Sequence, residues 1–384
     1  MLTHQKTIFE TIRYGTNKSN KIDFAFENLR ASLLFMLFIG HVSLSYLKND
    51  IGNLWYYSDH QQSIIFDGVA SVTTVVLMPI YFLITGYFTQ KSMSSYSKSE
   101  VIYKRTNRIL RPFILTFLTI IPLSDFIGEI LNDDSSHTLF SAIENSFARY
   151  HWSFSTGHVW FLYYLIIFSI IQLQFLKEIT KISIYLKPKT HVHLAGILIV
   201  LMLLLTGILH LENSNTLLGS YSLLPSIYSL MGFGIFYLIG IFLFQYQSNN
   251  ATFSTMKWPL LIIGLVFLTI NNISGYKAMQ NSINPTEYNM IMSFSFATAS
   301  ICLSLSIIWL AQTYFQQTTP FILFISKSSY FVYLIHLPFI LIWIYICSDV
   351  EMNAIYKFFI VLIGSISSSF GVNYLRLRIQ KTNP

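Results

Sequence analysis

Ionisable side chains inside apolar stretches of the sequence are its first candidates for chemistry. His41 lies in an apolar run that begins at Arg30, and His336 lies in a second run together with Tyr333. A charged side chain at the centre of a bilayer costs about 2.5–3.5 kcal/mol on insertion scales, so such residues usually have a function. Imidazole can take a proton from a hydroxyl group or carry an acyl group near neutral pH. The competing interpretations are packed core histidines and a snorkelling topology anchor at Arg30.

The spacing of these residues predicts where they lie across a membrane. Arg30 and His41 are eleven residues apart, which is about three helical turns and about 16 Å along one helix face. His41 and His336 lie at nearly the same depth in their two apolar runs. We therefore expect both histidines to line one cavity, with Pro338 freeing backbone carbonyls in the wall of that cavity.

Three arginines form a second candidate site. Arg105, Arg108 and Arg111 recur every three residues just before an apolar run, and this spacing predicts that they share one side of a helix. Guanidinium groups in such an array suit a polyanionic ligand at the membrane surface. The alternative is a set of topology signals that contact anionic lipid headgroups.

Composition identifies the elements that position these residues. Of the 384 residues, 53% are apolar and only 11% are charged, which is too few charges for a soluble protein. Ten apolar runs are long enough to cross a bilayer and lack the alternation of barrel strands. The predicted fold is therefore an all-α, polytopic membrane bundle. Its spans are 29–47, 65–88, 109–128, 159–176, 193–211, 227–245, 258–275, 290–313, 322–346 and 355–375.

The distribution of basic residues predicts the orientation of the bundle. Lys and Arg collect in both tails and in alternate loops, whereas the remaining loops contain only Lys48, Arg149 and Lys277. Both termini are therefore expected in the cytoplasm. We expect tails at 1–28 and 376–384 around one membrane domain at 29–375. The net positive charge then sets the orientation of the protein in the membrane and does not indicate nucleic-acid binding.

Two further features complete this prediction. Cys302 and Cys347 both lie in apolar runs, so the sequence predicts neither a disulfide framework nor a metal site. The loop at 129–158 is the longest on its side and contains an aromatic stretch with Trp152. Long connections in compact bundles are often functional, so we expect this loop to help bind a substrate.

Five short motifs in this chain resemble the integral membrane acyltransferase-3 family. They follow in order over roughly residues 24–345. The motifs are Arg30 with His41, Pro79 to Phe88, Arg108-x-x-Arg111-Pro112, His158-Val159-Trp160-Phe161-Leu162, and Ser329-Tyr330-x-x-Tyr333-Leu334-Ile335-His336. The chain departs from the family pattern at Tyr81-Phe82 and Thr85-Gly86, where Phe-Phe and Ser-Gly are usual. The stretch from Gly40 to Tyr46 and the overall length resemble the succinyl-transferring branch that contains glucan biosynthesis protein C.

This resemblance implies an activity and assigns roles to the residues that match. It implies an acyl-CoA donor in the cytoplasm, acetyl-CoA or succinyl-CoA, without a metal, and O-acylation of a periplasmic or cell-surface glycan. His41 takes the essential histidine position, with Arg30 on the same helix, and Arg108 and Arg111, with Arg105 beside them, hold the donor. We further expect His336, Tyr333, His158 and Trp160 to line the substrate cavity. The expected location is the bacterial inner membrane, with lipid as a partner and a homo-oligomer left open.

Two other functions compete with acyl transfer. In an exporter of a glycan or a lipid-linked sugar, His41 and His336 would relay protons. In a scaffold without chemistry, Arg108 and Arg111 would tolerate replacement by Lys, whereas bidentate phosphate contacts would not. The sequence also leaves open whether His41 deprotonates the acceptor hydroxyl or carries the acyl group itself.

Overall fold

The predicted membrane bundle is confirmed. The computed structural model describes residues 18–49, 51, 54–131, 155–186, 190–214, 216–220, 222–246, 255–280 and 285–382. In this part of the chain, ten helical stretches are long and apolar enough to cross a membrane, and every predicted span overlaps one of them. No β-strand occurs among the described residues. The loop residue Trp152 and most of the N-terminal tail lie outside them.

Twelve α-helices lie in the described part of the chain. Their bounds are α1 (Lys18–Ser43), α2 (Ile64–Ser95), α3 (Lys98–Arg105), α4 (Arg111–Leu131), α5 (Trp160–Gln174), α6 (Leu176–Tyr185), α7 (His191–Leu211), α8 (Ile227–Gln245), α9 (Lys257–Gln280), α10 (Pro285–Tyr314), α11 (Pro320–Ser348) and α12 (Ala354–Thr382). A π-helical turn at Thr106–Leu110 joins α3 to α4, so these two helices form one span. Short 3₁₀ turns cover Leu44–Tyr46 and Gly157–Val159.

Helix α10 lies at the centre of the bundle. It packs against α1, α2, α7 and α9, and 78% of the residues in its apolar 18-residue segment are buried. Many of its buried side chains are small, including Ala297, Ala299, Ser300 and Ser304. Small residues let helix backbones approach closely where lipid supplies no hydrophobic drive between helices.

Glycines allow α2 and α8 to touch along their backbones. A Cβ atom at Gly86 would overlap the carbonyl oxygen of Tyr237, and one at Gly240 would overlap the carbonyl oxygen of Leu83. The contact is reciprocal, so neither position has room for a side chain. Gly86, in the motif from Pro79 to Phe88, is therefore required for the close packing of α2 against α8.

Prolines inside two helices create contacts between helices. Proline has no N–H group, so the carbonyl four residues earlier loses its partner within the helix. Pro79 frees the carbonyl of Val75, which accepts a hydrogen bond of 2.8 Å from the Ser300 hydroxyl of α10. Pro338 frees the carbonyl of Leu334 in the same way, as the sequence predicts for a cavity wall.

The loop 47–63, between α1 and α2, is fixed by a buried ion pair. The Lys357 ammonium lies 2.9 Å from Oδ2 of Asp59, and their side chains are only 3% and 2% exposed. The backbone N–H of Asp59 also donates to the Ser45 carbonyl at 2.8 Å. We call the end of the bundle with this loop the opposite end, and the end with Arg30, Arg108 and Arg111 the basic end.

Candidate active site

Three histidines from separate parts of the chain meet inside the bundle. His41 lies near the end of α1, His158 lies in the 3₁₀ turn before α5, and His336 lies in the middle of α11. The ring of His336 is 5.1 Å from the ring of His41 and 5.1 Å from the ring of His158, measured between centroids. The expected proximity of His41 and His336 is therefore present, and His158 joins them as a third member.

Backbone carbonyls fix which nitrogen of each ring carries hydrogen. Nδ1 of His41 lies 3.0 Å from the Leu37 carbonyl oxygen, and Nδ1 of His336 lies 2.6 Å from that of Tyr333. A carbonyl oxygen only accepts hydrogen bonds, so each of these nitrogens is the N–H donor. In the neutral rings, Nε2 of His41 and of His336 then keeps its lone pair. The Nε2 of His336 is buried without a hydrogen-bond partner among the described residues.

His158 is held on α11 by two hydrogen bonds. Its Nε2 donates to the Leu334 carbonyl at 3.1 Å, which is the carbonyl that Pro338 frees. The Tyr333 hydroxyl donates to the backbone carbonyl of His158 at 2.7 Å. Tyr333 therefore links the 3₁₀ turn that contains His158 to α11. Its ring lies parallel to that of His336, with centroids 5.9 Å apart.

His41 is the least buried of the three histidines. His158 is 6% exposed and His336 is fully buried, whereas His41 is partly exposed. The Trp55 indole of the loop 47–63 lies 5.7 Å from the His41 ring on the side of the opposite end. Among the described residues, no three His, Cys, Asp or Glu side chains are arranged to hold a metal ion. The arrangement provides one partly exposed imidazole that can act as a base, clustered with two buried imidazole rings.

Arg30 lies on the same unbroken helix as His41, towards the basic end. Its guanidinium is 3.2 Å from Glu27 and lies 4.6 Å from the centre of the Phe88 ring. The other carboxylate oxygen of Glu27 accepts a hydrogen bond from the Ser326 hydroxyl of α11. Eleven residues of continuous helix keep Arg30 about 16 Å from His41 along the axis. Arg30 is therefore placed to orient a ligand that extends towards His41, and not to contact a group at the histidine.

The three arginines of the basic end do not share one helix face. The π-helical turn at Thr106–Leu110 widens the helix within the motif, so the expected α-helical repeat is lost there. Arg105 turns inwards, and its Nη2 donates to the Thr89 hydroxyl at 2.6 Å, whereas Arg108 and Arg111 remain exposed. The prediction of one common face is wrong for Arg105. Two guanidinium groups are left available to an external anion.

Trp160, which we expect to line the substrate cavity, packs among aromatic side chains. Its side chain is only 7% exposed, and its ring lies 5.1 Å from Phe233 and 6.0 Å from Phe82. Gly219 gives the indole its space, because a Cβ atom there would overlap the ring. Trp160 is therefore a core residue that locks α5 against α2 and α8.

A comparison with protein families decides the class of the chain. The model of the acyltransferase-3 family, described as an acyltransferase domain, matches residues 23–374. The chain belongs to the acyltransferase-3 family. Searches of curated proteins and of solved structures gave no match. The acyltransferase-3 match covers the whole histidine cluster and the arginines of the basic end, so this multi-pass membrane protein is an acyltransferase.

Proposed function

We propose that this acyltransferase-3 protein moves an acyl group, acetyl or succinyl, from acyl-CoA to a hydroxyl group of a glycan. The observation that carries the proposal is the position of His41. This partly exposed histidine lies between the exposed Arg108 and Arg111 of the basic end and the loop 47–63, with Trp55, of the opposite end. A base between a cationic end and an aromatic loop at the other end suits a donor and an acceptor that arrive from different sides of a membrane. The resemblance to glucan biosynthesis protein C makes succinyl transfer to a glucan the first case to test.

In this proposal the basic end faces the cytoplasm of a bacterium and the protein lies in the inner membrane. The bias of Lys and Arg towards the loops of that end supports this orientation. The exposed Arg108 and Arg111 would bind the phosphates of CoA as bidentate forks, and Arg105 would contribute its charge from the position fixed by Thr89. The pantetheine arm would pass Arg30 on its way to His41.

The chemical step is a direct transfer with His41 as general base. Nε2 of His41 takes the proton of the acceptor hydroxyl while that oxygen attacks the thioester carbonyl. The C–S bond then breaks, and the imidazolium returns the proton to the CoA thiolate. The hydrogen bond from Nδ1 to the Leu37 carbonyl keeps the ring in the tautomer that this step needs.

The test compares glycans from cells that contain the intact gene, a deletion, or a His41→Ala copy. Surface and periplasmic glycans are extracted and analysed by mass spectrometry. Loss of the base should lower transfer about 10²- to 10⁴-fold, so the ester should be absent from both mutants. An acetyl ester adds about 42 Da and a succinyl ester about 100 Da, so the same spectra identify the acyl group.

His210→Ala provides the matched control, because His210 is exposed and lies outside the histidine cluster. Its cells should keep the normal ester content. Unchanged ester content in the His41→Ala cells, with the protein present in the membrane, contradicts the proposed base. Glycans that disappear from the outer side only in the deletion would instead support an exporter.

A further inference from the structure

The loop 47–63 places an indole directly beside the proposed catalytic base. Trp55 lies 5.7 Å from the His41 ring between centroids and remains partly exposed. Its Nε1–H donates to the hydroxyl of the fully buried Ser45 at 2.7 Å, which fixes the edge of the indole and does not involve its ring faces. Neither the histidine cluster nor the arginines of the basic end require an aromatic ring at this position.

Tyr56 forms the second side of an aromatic corner with Trp55. The two ring centroids are 5.8 Å apart and the ring planes make an angle of 74°. The Tyr56 hydroxyl donates to Oδ1 of Asp125 at 2.9 Å, and Asp125 is buried in α4. The loop is therefore tied to α4 as well as to α1, and both partly exposed rings keep a defined orientation.

The corner is held before any ligand arrives. Asp59 follows Tyr56 by three residues, and its ion pair with the buried Lys357 anchors the loop to α12. The backbone N–H of Asp59 donates to the Ser45 carbonyl at 2.8 Å, and that of Ser63 donates to the Tyr46 carbonyl at 3.0 Å. These hydrogen bonds hold the end of the loop against the end of α1. A preorganised surface of this kind binds a ligand without the cost of ordering a loop.

We propose that Trp55, with Tyr56 beside it, is the platform on which a sugar ring of the acceptor stacks. This inference rests on the proposed acyl transfer to a glycan. One face of a pyranose ring presents C–H groups and packs on an aromatic ring, while its hydroxyl groups point outwards around the edge. Because the Trp55 and His41 rings are 5.7 Å apart, a sugar stacked on Trp55 would lie within reach of His41, so that one of its hydroxyl groups could meet the base. The platform therefore selects carbohydrate acceptors and orients them.

The experiment measures acceptor and donor kinetics separately on the purified full-length protein. The donor is acetyl-CoA or succinyl-CoA, and the acceptor probe is the glycan fraction extracted from a strain that lacks the gene. Release of free CoA is followed with and without this fraction. Trp55→Ala is compared with Trp55→Phe, and with Trp258→Ala, which removes an exposed indole at the start of α9.

Loss of the platform should raise the acceptor KM of Trp55→Ala about three- to tenfold, which corresponds to the loss of one aromatic contact. The donor KM should stay within about twofold of the wild type, since the arginines of the basic end are intact. Trp55→Phe keeps a ring face and should recover most of the acceptor affinity. Trp258→Ala should match the wild type in every parameter.

Two results overturn the inference while leaving acyl transfer in place. The first is an unchanged acceptor KM in Trp55→Ala. The second is a loss of kcat and of basal hydrolysis without a change in the acceptor KM, which would make Trp55 a support for His41 alone. If the wild-type protein transfers nothing to the glycan fraction, the proposed function fails and the platform fails with it.

Discussion

Replacement of Lys357 by Met should destabilise the protein more than the loss of any exposed lysine. The Nζ atom of Lys357 donates to Oδ1 and Oδ2 of Asp59 at 3.1 and 2.9 Å and to the Ser348 carbonyl at 3.1 Å. Both charged side chains are almost completely buried. Met fills a similar volume, so the change removes the cation and its hydrogen bonds with little loss of packing.

The magnitude follows from the carboxylate that is left behind. Removal of one partner from a buried ion pair costs about 3–5 kcal/mol, because the other charge stays buried without compensation. The second variant, Lys357→Met with Asp59→Asn, removes both charges. Buried pairs replaced by neutral groups of similar volume are often tolerated, so the double variant should recover most of the loss.

The assay is thermal unfolding of the purified protein in one detergent at one fixed scan rate, because unfolding of membrane proteins is rarely reversible. A loss of 3–5 kcal/mol should lower the apparent Tm by roughly 5–10 °C. Lys277→Met is the matched control, since Lys277 is exposed at the end of α9, and its Tm should stay within about 2 °C. Equal Tm values for Lys357→Met and the control would refute the reasoning, as would a double variant less stable than Lys357→Met.

Two further predictions concern helix packing and the donor site. Gly240→Ala should destabilise the bundle by at least about 2 kcal/mol, because its Cβ would overlap a backbone carbonyl of α2. Gly207→Ala has open space and should be neutral in the same unfolding assay, and equal effects would contradict the packing argument. Arg108→Lys and Arg111→Lys should each raise the donor KM about tenfold in the CoA-release assay while leaving the acceptor KM unchanged, because Lys cannot form bidentate phosphate contacts. Unchanged donor KM values would place the CoA phosphates elsewhere.

Much of the architecture could be predicted because the bilayer imposes length and polarity on each span. Hydropathy located the ten spans, and the fixed rise of a helix placed His41 and His336 at one depth. Both predictions depend on local sequence alone. Prediction from the sequence fails where the environment of a side chain depends on a contact with a distant segment of the chain.

His158 shows this limit. The neighbouring residues alone indicate only the end of a span beside an interfacial tryptophan, and the expectation that His158 lines the cavity with His336 and Tyr333 comes from the family resemblance. The signal lay 180 residues away in Pro338, whose missing N–H leaves the Leu334 carbonyl in need of a donor. Sequence analysis does not identify Trp55 for a similar reason. A loop has no regular repeat from which the neighbours of a side chain can be predicted, so the contact of Trp55 with His41 has no local signal.

The hydrogen bonds of the three imidazoles have a consequence for proton movement through the cluster. A proton crosses a chain of histidines by arriving on one ring nitrogen and leaving from the other. In His41, His158 and His336 the second nitrogen already donates to a backbone carbonyl, which is far too weak a base to pass the proton on. A proton taken up by His41 must therefore leave by the nitrogen at which it arrived. In the proposed transfer, the acyl group would therefore react at His41 without a proton relay through the three rings beside it.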